Sequence, residues 1–130
     1  MVVTRLSRVG LILLLTVWAG CGGSNQEVAP VHGHVTLDGQ PLPYAGVVFE
    51  STGKPPSGGT TDKDGNYELI FKRGVKGAPI GTNRVTILQD TQRVPGPQRV
   101  PARFNQNSEL QREVKSDDNV FDFDLTTEAK

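Results

Sequence analysis

The main part of the chain reads as all-β, a β-sandwich or barrel with antiparallel pairing. Three observations predict it. Short segments from Val31 onward alternate apolar and polar residues with period two. Fifteen Gly and nine Pro among 130 residues supply many turns and leave little room for long helices. Beyond the N-terminal apolar run, no window keeps an apolar i, i+3, i+4, i+7 stripe. The length suits one domain, and a hydrophobic fraction of 35% with 6% aromatics suits one small core. A formal net charge of zero leaves no basic footprint for nucleic acid.

The elements follow in chain order. Arg5 and Arg8 precede an apolar run over residues 9–19, which is too short to span a bilayer as a helix. Basic start, short apolar run and small closing residues describe a secretory signal over residues 1–20. Cys21 is the single cysteine, so no disulfide can form within one chain. Ala19 and Gly20 before it and "GGSNQE" after it resemble the lipobox of bacterial lipoproteins, with Trp18 where that pattern usually has Leu. The resemblance implies that Cys21 carries thioether-linked diacyl and N-acyl chains, and two chains already anchor stably. Cleavage there removes 2 of 14 basic residues and leaves 12 against 14 acidic, a net charge of −2. Residues 21–29 read as the lipidated cysteine and a short flexible tether. Gly22 stands where an Asp would resemble the inner-membrane retention signal, which points to the outer membrane.

Residues 30–126 form the expected domain, with 127–130 as a tail. "VHGHVTLDG" sets Val31, Gly33, Val35 and Leu37 against His32, His34 and Thr36, a strand with one covered face. Asp38-Gly39 supplies a tight turn, and Pro41 and Pro43 bar a helix. "YAGVVFES" turns Ala45, Val47 and Phe49 to one side. A Gly/Pro-rich loop follows, with a short edge strand near Thr60. "NYELIFK" sets Tyr67, Leu69 and Phe71 against Glu68, Ile70 and Lys72, and "NRVTILQ" pairs Val85 with Ile87. "ELQREVK" does the same for Leu110 and Val114, with Arg112 between them as the flaw. "NVFDFDLT" is the cleanest alternation, Phe121, Phe123 and Leu125 inward and Asp122 and Asp124 outward. Residues 90–108 carry Pro95, Pro97 and Pro101 and hold no strand; connections this long are usually functional or disordered.

Taken in order, "GHVTLDGQPLPYAGVVFES", "TTDKDGNYEL", "KGAPIGTNRVTI", "VPARFN", "SELQREV" and "NVFDFDL" resemble the carboxypeptidase regulatory-like, transthyretin-like domain of small bacterial lipoproteins. The resemblance spans residues 31–125. It implies a single antiparallel Greek-key β-sandwich of about seven strands, prealbumin-like with an immunoglobulin-like architecture, and no established reaction. Asn83 stands where the similar pattern usually has Tyr.

Candidate chemistry is sparse. Asp62, Asp64 and Asn66 alternate around Gly65 like the first half of a calcium loop. A full loop needs a bidentate acid at its twelfth residue, and counting from Asp62 that position is Arg73. The same letters make a turn, with Asp64 and Gly65 at its bend and Asp62 bonding nearby N–H groups. His32 and His34 share a strand face and could begin a zinc site, yet Cys21 is committed elsewhere and no H-E-x-x-H exists. G-x-S-x-G is absent, and Ser57 is read as a loop residue. Lys72, Arg73 and Lys76 make a modest basic hairpin tip.

The expected function is therefore a lipid-anchored, non-enzymatic module of the bacterial cell envelope, structural or contacting a protein or glycan, with no cofactor. The alternative is a periplasmic module for a small ligand or Ca2+, using the histidine face or the 62–66 corner.

Overall fold

The computed structural model describes residues 27–128. The signal segment, Cys21, most of the tether and the last two tail residues lie outside the described residues. What is described is all-β: β1 (Val28–Ala29), β2 (Val31–Leu37), β3 (Gln40–Pro41), β4 (Ala45–Glu50), β5 (Ser57–Thr60), β6 (Asn66–Glu68), β7 (Ala78–Pro79), β8 (Gly81–Gln89), β9 (Gln111–Val114), β10 (Asn119–Val120) and β11 (Phe123–Leu125). Single 3-10 turns sit at Lys72–Gly74 and Ala102–Phe104.

The strands form two larger sheets and one small one, and none closes into a barrel. The four-stranded sheet runs β5-β4-β8-β9, antiparallel throughout. The five-stranded sheet is centred on β2, flanked on one edge by β6 and then β3, and by β10 and then β11. The inward faces follow the alternation: Val31, Val35 and Leu37 from β2, Ala45, Val47 and Phe49 from β4, and Val85 and Ile87 from β8 are all buried. Phe49 stacks on Phe121 at 5.9 Å and meets Phe123 edge-on at 6.3 Å, so the covered faces of the two larger sheets join there.

Several expectations need correction. β10 and β11 pair with β2 in parallel, so the pairing is not wholly antiparallel. Alternation of side chains is the same in both orientations and does not encode which one is adopted. The terminal strand is also interrupted. Its register with β2 is the same before and after the break (Asn119↔Val31, Phe123↔Val35), and at the break other groups replace the ladder. Tyr67 donates its hydroxyl to the Phe121 carbonyl at 2.6 Å, and the His34 N–H meets an Asp122 carboxylate oxygen at 2.9 Å.

"NYELIFK" is not one strand. β6 ends at Glu68, and Ile70 then bridges to Gly58 of the other sheet. Tyr67, Leu69 and Phe71 are buried as the period predicts, but Leu69 lies where the chain changes sheets. A Cβ on Gly59 would lie 2.2 Å from the Glu68 carbonyl oxygen, so the crossing needs glycine.

Val28 and Ala29, expected in the tether, form β1 against β7, with Ala29 fully buried and the Ile80 N–H bonded to the Glu27 carbonyl. Thr127, expected in the tail, is bonded to Asp38. Ser57 opens β5 and is buried rather than lying in a loop. Arg112 places its guanidinium 4.8 Å over the Phe123 ring, which lets an arginine occupy a covered position. Asn83 is buried, and its amide donates to the Pro79 and Gly81 carbonyls at 2.8 and 3.1 Å.

Residues 90–108 hold no strand, yet their second half is packed. Val100 is 3% exposed within the core, and the Asn105 amide bonds to the Val100 carbonyl at 3.1 Å. The Ser108 hydroxyl donates to the Val85 carbonyl.

Candidate functional site

Within β4 and β8 consecutive apolar residues break the alternation, at Val47-Val48-Phe49 and at Ile87-Leu88. The inward members fill the core. The outward members, Val48 and Leu88, are cross-strand neighbours of Thr86 and Gly46 on the outer face of the four-stranded sheet. Leu88 is 49% exposed there. These side chains form the floor of a groove of about 540 Å³.

The wall comes from the loop that leaves β8. Its base is fixed at both ends. The Asp90 N–H bonds to the Tyr44 carbonyl at 2.8 Å, and one Asp90 carboxylate oxygen accepts the N–H groups of Gln92 and Arg93 at 2.9 and 3.3 Å. The Val94 N–H returns to the Asp90 carbonyl at 2.9 Å and closes the turn. At the far end the Gln98 side-chain amide imitates a strand partner. It accepts from the Gln89 N–H at 3.1 Å and donates to the Gln89 carbonyl at 2.9 Å. Gln98 separates this groove from a second hollow of about 480 Å³, lined by Leu88, Val100, Pro101 and Asn105 among others.

The Arg93 guanidinium lies 4.6 Å over the Tyr44 ring at the rim. Among the described residues it has no carboxylate within ion-pair distance. Tyr44 adopts φ +53°, a left-handed conformation uncommon for an aromatic residue. Backbone bonds hold it there, its N–H on the Thr61 carbonyl at 3.1 Å and its carbonyl on Asp90.

The residues singled out by sequence lie elsewhere. Asp38 and Gly39 have φ +52° and +81° and make the two-residue loop joining Leu37 to Gln40, a type I′ geometry. The Asp38 carboxylate also accepts the Thr127 N–H at 2.9 Å and its hydroxyl at 2.8 Å. Those bonds, the backbone one foremost, hold its pKa below the ordinary 3.8. Arg103 donates to the carbonyls of Thr126 and Glu128, so the chain after β11 is pinned from two sides.

At the other corner one Asp62 carboxylate oxygen accepts the N–H groups of Asp64 and Asn66 at 2.9 and 3.0 Å. The Asn66 bond is the largest cause of a lowered Asp62 pKa. Gly65 sits at φ +83° between them, with its carbonyl accepting the Val35 N–H. Nε2 of His34 lies 2.7 Å from the Asp64 carbonyl; a carbonyl only accepts, so this nitrogen carries a proton. Nε2 of His32 lies 3.2 Å from an Asp118 carboxylate oxygen. The two histidines thus have separate partners. Among the described residues no three His, Cys, Asp or Glu side chains are arranged to hold a metal ion. In the basic tip Lys76 pairs with Glu68 at 3.3 Å and Lys72 lies over Phe71 at 5.3 Å.

Tyr44, Val48, Leu88, Arg93 and Gln98 were not singled out by sequence reasoning. Arg93 and Gln98 lie in the 90–108 connection, whose length already marked it as functional or disordered; for Val48 and Leu88 the signal was the second apolar residue beside each core position. Comparison with protein-family models, with curated proteins and with solved structures finds no match for the chain.

Proposed function

We propose that the chain is a lipid-anchored, non-enzymatic envelope module that holds a protein or glycan partner in the groove on its four-stranded sheet. The observation that carries this reading is the wall: a loop clamped at Asp90 and at Gln98 stands beside Val48 and Leu88, which no strand or helix among the described residues covers. Rigid scaffolds with binding loops at one side are a common way to build recognition, and chemistry is assigned from sites, not folds. The lipid anchor at Cys21, the outer-membrane address and a seven-stranded transthyretin-like Greek-key sandwich belong to the same proposal; they are supported by the sequence resemblances, and the sandwich also by the meeting of Phe49 with Phe121 and Phe123.

Two measurements test it. Metabolic labelling with a fatty-acid analogue is expected to tag the wild type and not Cys21→Ser, which should move to the soluble envelope fraction. Equal labelling of both ends the anchor claim. A photo-crosslinking residue at Val48 is expected to capture a defined partner in intact envelopes, and one at Val120 on the other sheet is not. Equal adducts from both positions, or none, reject the groove as the site.

A further inference from the structure

From Cys21 onward the chain carries its charge unevenly. Residues 68–77 form a hairpin with three cations, Lys72, Arg73 and Lys76, and one acid, Glu68. Removing these from the 12 basic and 14 acidic residues leaves 9 basic against 13 acidic elsewhere. The hairpin is closed. The Phe71 N–H meets the Val75 carbonyl at 2.6 Å, and the Gly77 N–H meets the Leu69 carbonyl at 2.8 Å. The tip turns through Arg73 and Gly74 at φ +61° and +73°. Phe71 and Gly77 are buried, and every residue between them is exposed. Val75 is 47% exposed, and Ile70, the cross-strand neighbour of Lys76, is exposed too. Arg73 has no carboxylate within ion-pair distance among the described residues, and Lys76 meets only the exposed Glu68. A surface pair of that kind is weak and readily exchanged. Cations around an exposed aliphatic side chain match a phospholipid surface, where the charges meet phosphates and the aliphatic group sits among headgroups.

Position supplies a second, independent argument. A Cβ on Gly77 would lie 2.2 Å from the Ala29 carbonyl oxygen, so the base of the hairpin is pressed against β1. Ala29 stands eight residues after Cys21. Whatever path the chain takes, the two lie no more than about 28 Å apart. A lipid on Cys21 therefore keeps the hairpin near the bilayer. Docking then becomes an intramolecular step that needs little affinity of its own. The acidic remainder of the domain is repelled by the same anionic surface.

We propose that the 70–76 hairpin docks the anchored domain on an anionic phospholipid surface, with Lys72, Arg73 and Lys76 on lipid phosphates and Val75 among the headgroups. The inference rests on the reading of Cys21 as the anchor, and goes beyond it by assigning the part of the domain that faces the lipid.

The test supplies a tether that does not depend on acylation in cells. The chain from Cys21 onward is the mature form that the anchor reading implies, and it retains every described residue. Its single thiol couples to maleimide-headed lipid in vesicles. It contains no tryptophan, since the one in the chain is Trp18, so Val75→Trp is the sole reporter. Vesicles of phosphatidylcholine with about a third phosphatidylglycerol, an anionic surface, are expected to shift its emission to the blue. Bromine on their acyl chains is expected to quench it. Val120→Trp and Leu88→Trp, at exposed places on the two larger sheets, should show neither effect. Pure phosphatidylcholine, or molar salt with its screening length of about 3 Å, should lower the docked-to-free ratio of Val75→Trp about tenfold or more. Lys72→Gln, Arg73→Asn and Lys76→Gln should each lower it about fivefold, with melting temperatures close to that of the parent. Quenching that is equal at the three positions, absent from Val75→Trp, or unchanged in neutral vesicles or in salt overturns the proposal. Fatty-acid labelling reads the anchor separately. Labelled Cys21 with a failed tryptophan test sinks the hairpin and keeps the anchor; the reverse result sinks the anchor and keeps the hairpin as a lipid contact.

Discussion

On the outer face of the five-stranded sheet His32, His34 and Thr36 meet Asp118, the Asp64 carbonyl and Asp124. On the outer face of the four-stranded sheet Gly46, Val48, Thr86 and Leu88 meet, among the described residues, a loop wall. Apart from the exposed Val120, the first face is polar and its side chains pair with one another or with the backbone; the second leaves Val48 and Leu88 open side by side. A similar contrast holds within the backbone. Around β2 the chain is crowded: a Cβ on Gly33 would lie 1.9 Å from the Phe121 carbonyl oxygen, and one on Gly65 would lie 2.6 Å from that of Val35. On β4 the nearest atom to a Cβ on Gly46 is 3.7 Å away. The backbone is crowded where β2 meets the terminal strand and where β5 meets the crossing at Glu68, and it is open on the groove side of β4.

The sharpest way to break this comparison is to exchange side chains at the two glycines. Gly33→Val must push away the Phe121 backbone, whose carbonyl also accepts the Tyr67 hydroxyl, and real side chains do not approach so closely. It is expected to destabilise by about 3 kcal/mol or more, the upper range for overpacking. Gly46→Val should change stability by no more than about 0.5 kcal/mol, as for an ordinary surface site. Denaturant melts of both variants decide the matter, and equal losses would erase the distinction between the sheets.

Gly65→Val comes next. It combines φ +83° with a short approach to Val35, at the point where the edge of β2 passes from β6 to β3. A loss of about 2 kcal/mol is expected in the same melts, since left-handed backbone strains a β-branched residue. Asp62→Asn should cost far less, because the amide oxygen can still accept the Asp64 and Asn66 N–H groups.

Much of this was legible in the sequence, and the reason is local. Val31, Val35, Leu37, Val47, Phe49 and Phe123 are buried where period-two alternation put them. Asp38-Gly39 turns where that dipeptide turns in hairpins. Illegible were the features that depend on what lies across a gap. No local pattern says that β11 runs parallel to β2, that the chain changes sheets at Leu69, or that Arg112 finds the Phe123 ring. The candidate groove was hidden differently. Val48 and Leu88 fall opposite the predicted core positions, and no local pattern says which loop stands beside them.

Tyr67→Phe sharpens the comparison at lower energy. The Tyr67 hydroxyl is the bond that replaces the interrupted β2–β11 ladder at Phe121, and burial pushes its pKa well above the ordinary 10.0. Removing it keeps the ring against Phe123 and leaves a carbonyl short of a donor. A cost of about 1 kcal/mol is expected, with faster amide exchange at Phe121 and Phe123 and no change at Val48 or Leu88. Uniform change across both sheets would mean that the terminal strand is not a local dependency.

The smallest expected effects concern the 62–66 corner and the Asp38 clamp, where a functional and a structural reading give opposite outcomes. Both carboxylates hold a pKa below their ordinary 3.8, Asp62 chiefly through the Asn66 N–H and Asp38 chiefly through the Thr127 N–H. A lowered carboxylate pKa stabilises the fold above the ordinary value, and the contribution is lost as pH falls through the lower, folded value. Protection of the Asn66 and Thr127 amides, relative to their intrinsic exchange rates, should therefore fall only below pH 3.8, while that of Leu88, with no carboxylate partner among the described residues, shows no such step. Asp62 spends one oxygen on two backbone donors, and a cation would have to compete with both. Calcium at millimolar levels, the range of weak extracellular sites, should leave the melting temperature at neutral pH unchanged, because a ligand that does not bind cannot stabilise. A calcium-dependent rise that Asp64→Ala abolishes would make this corner a metal site and would return function to the polar sheet.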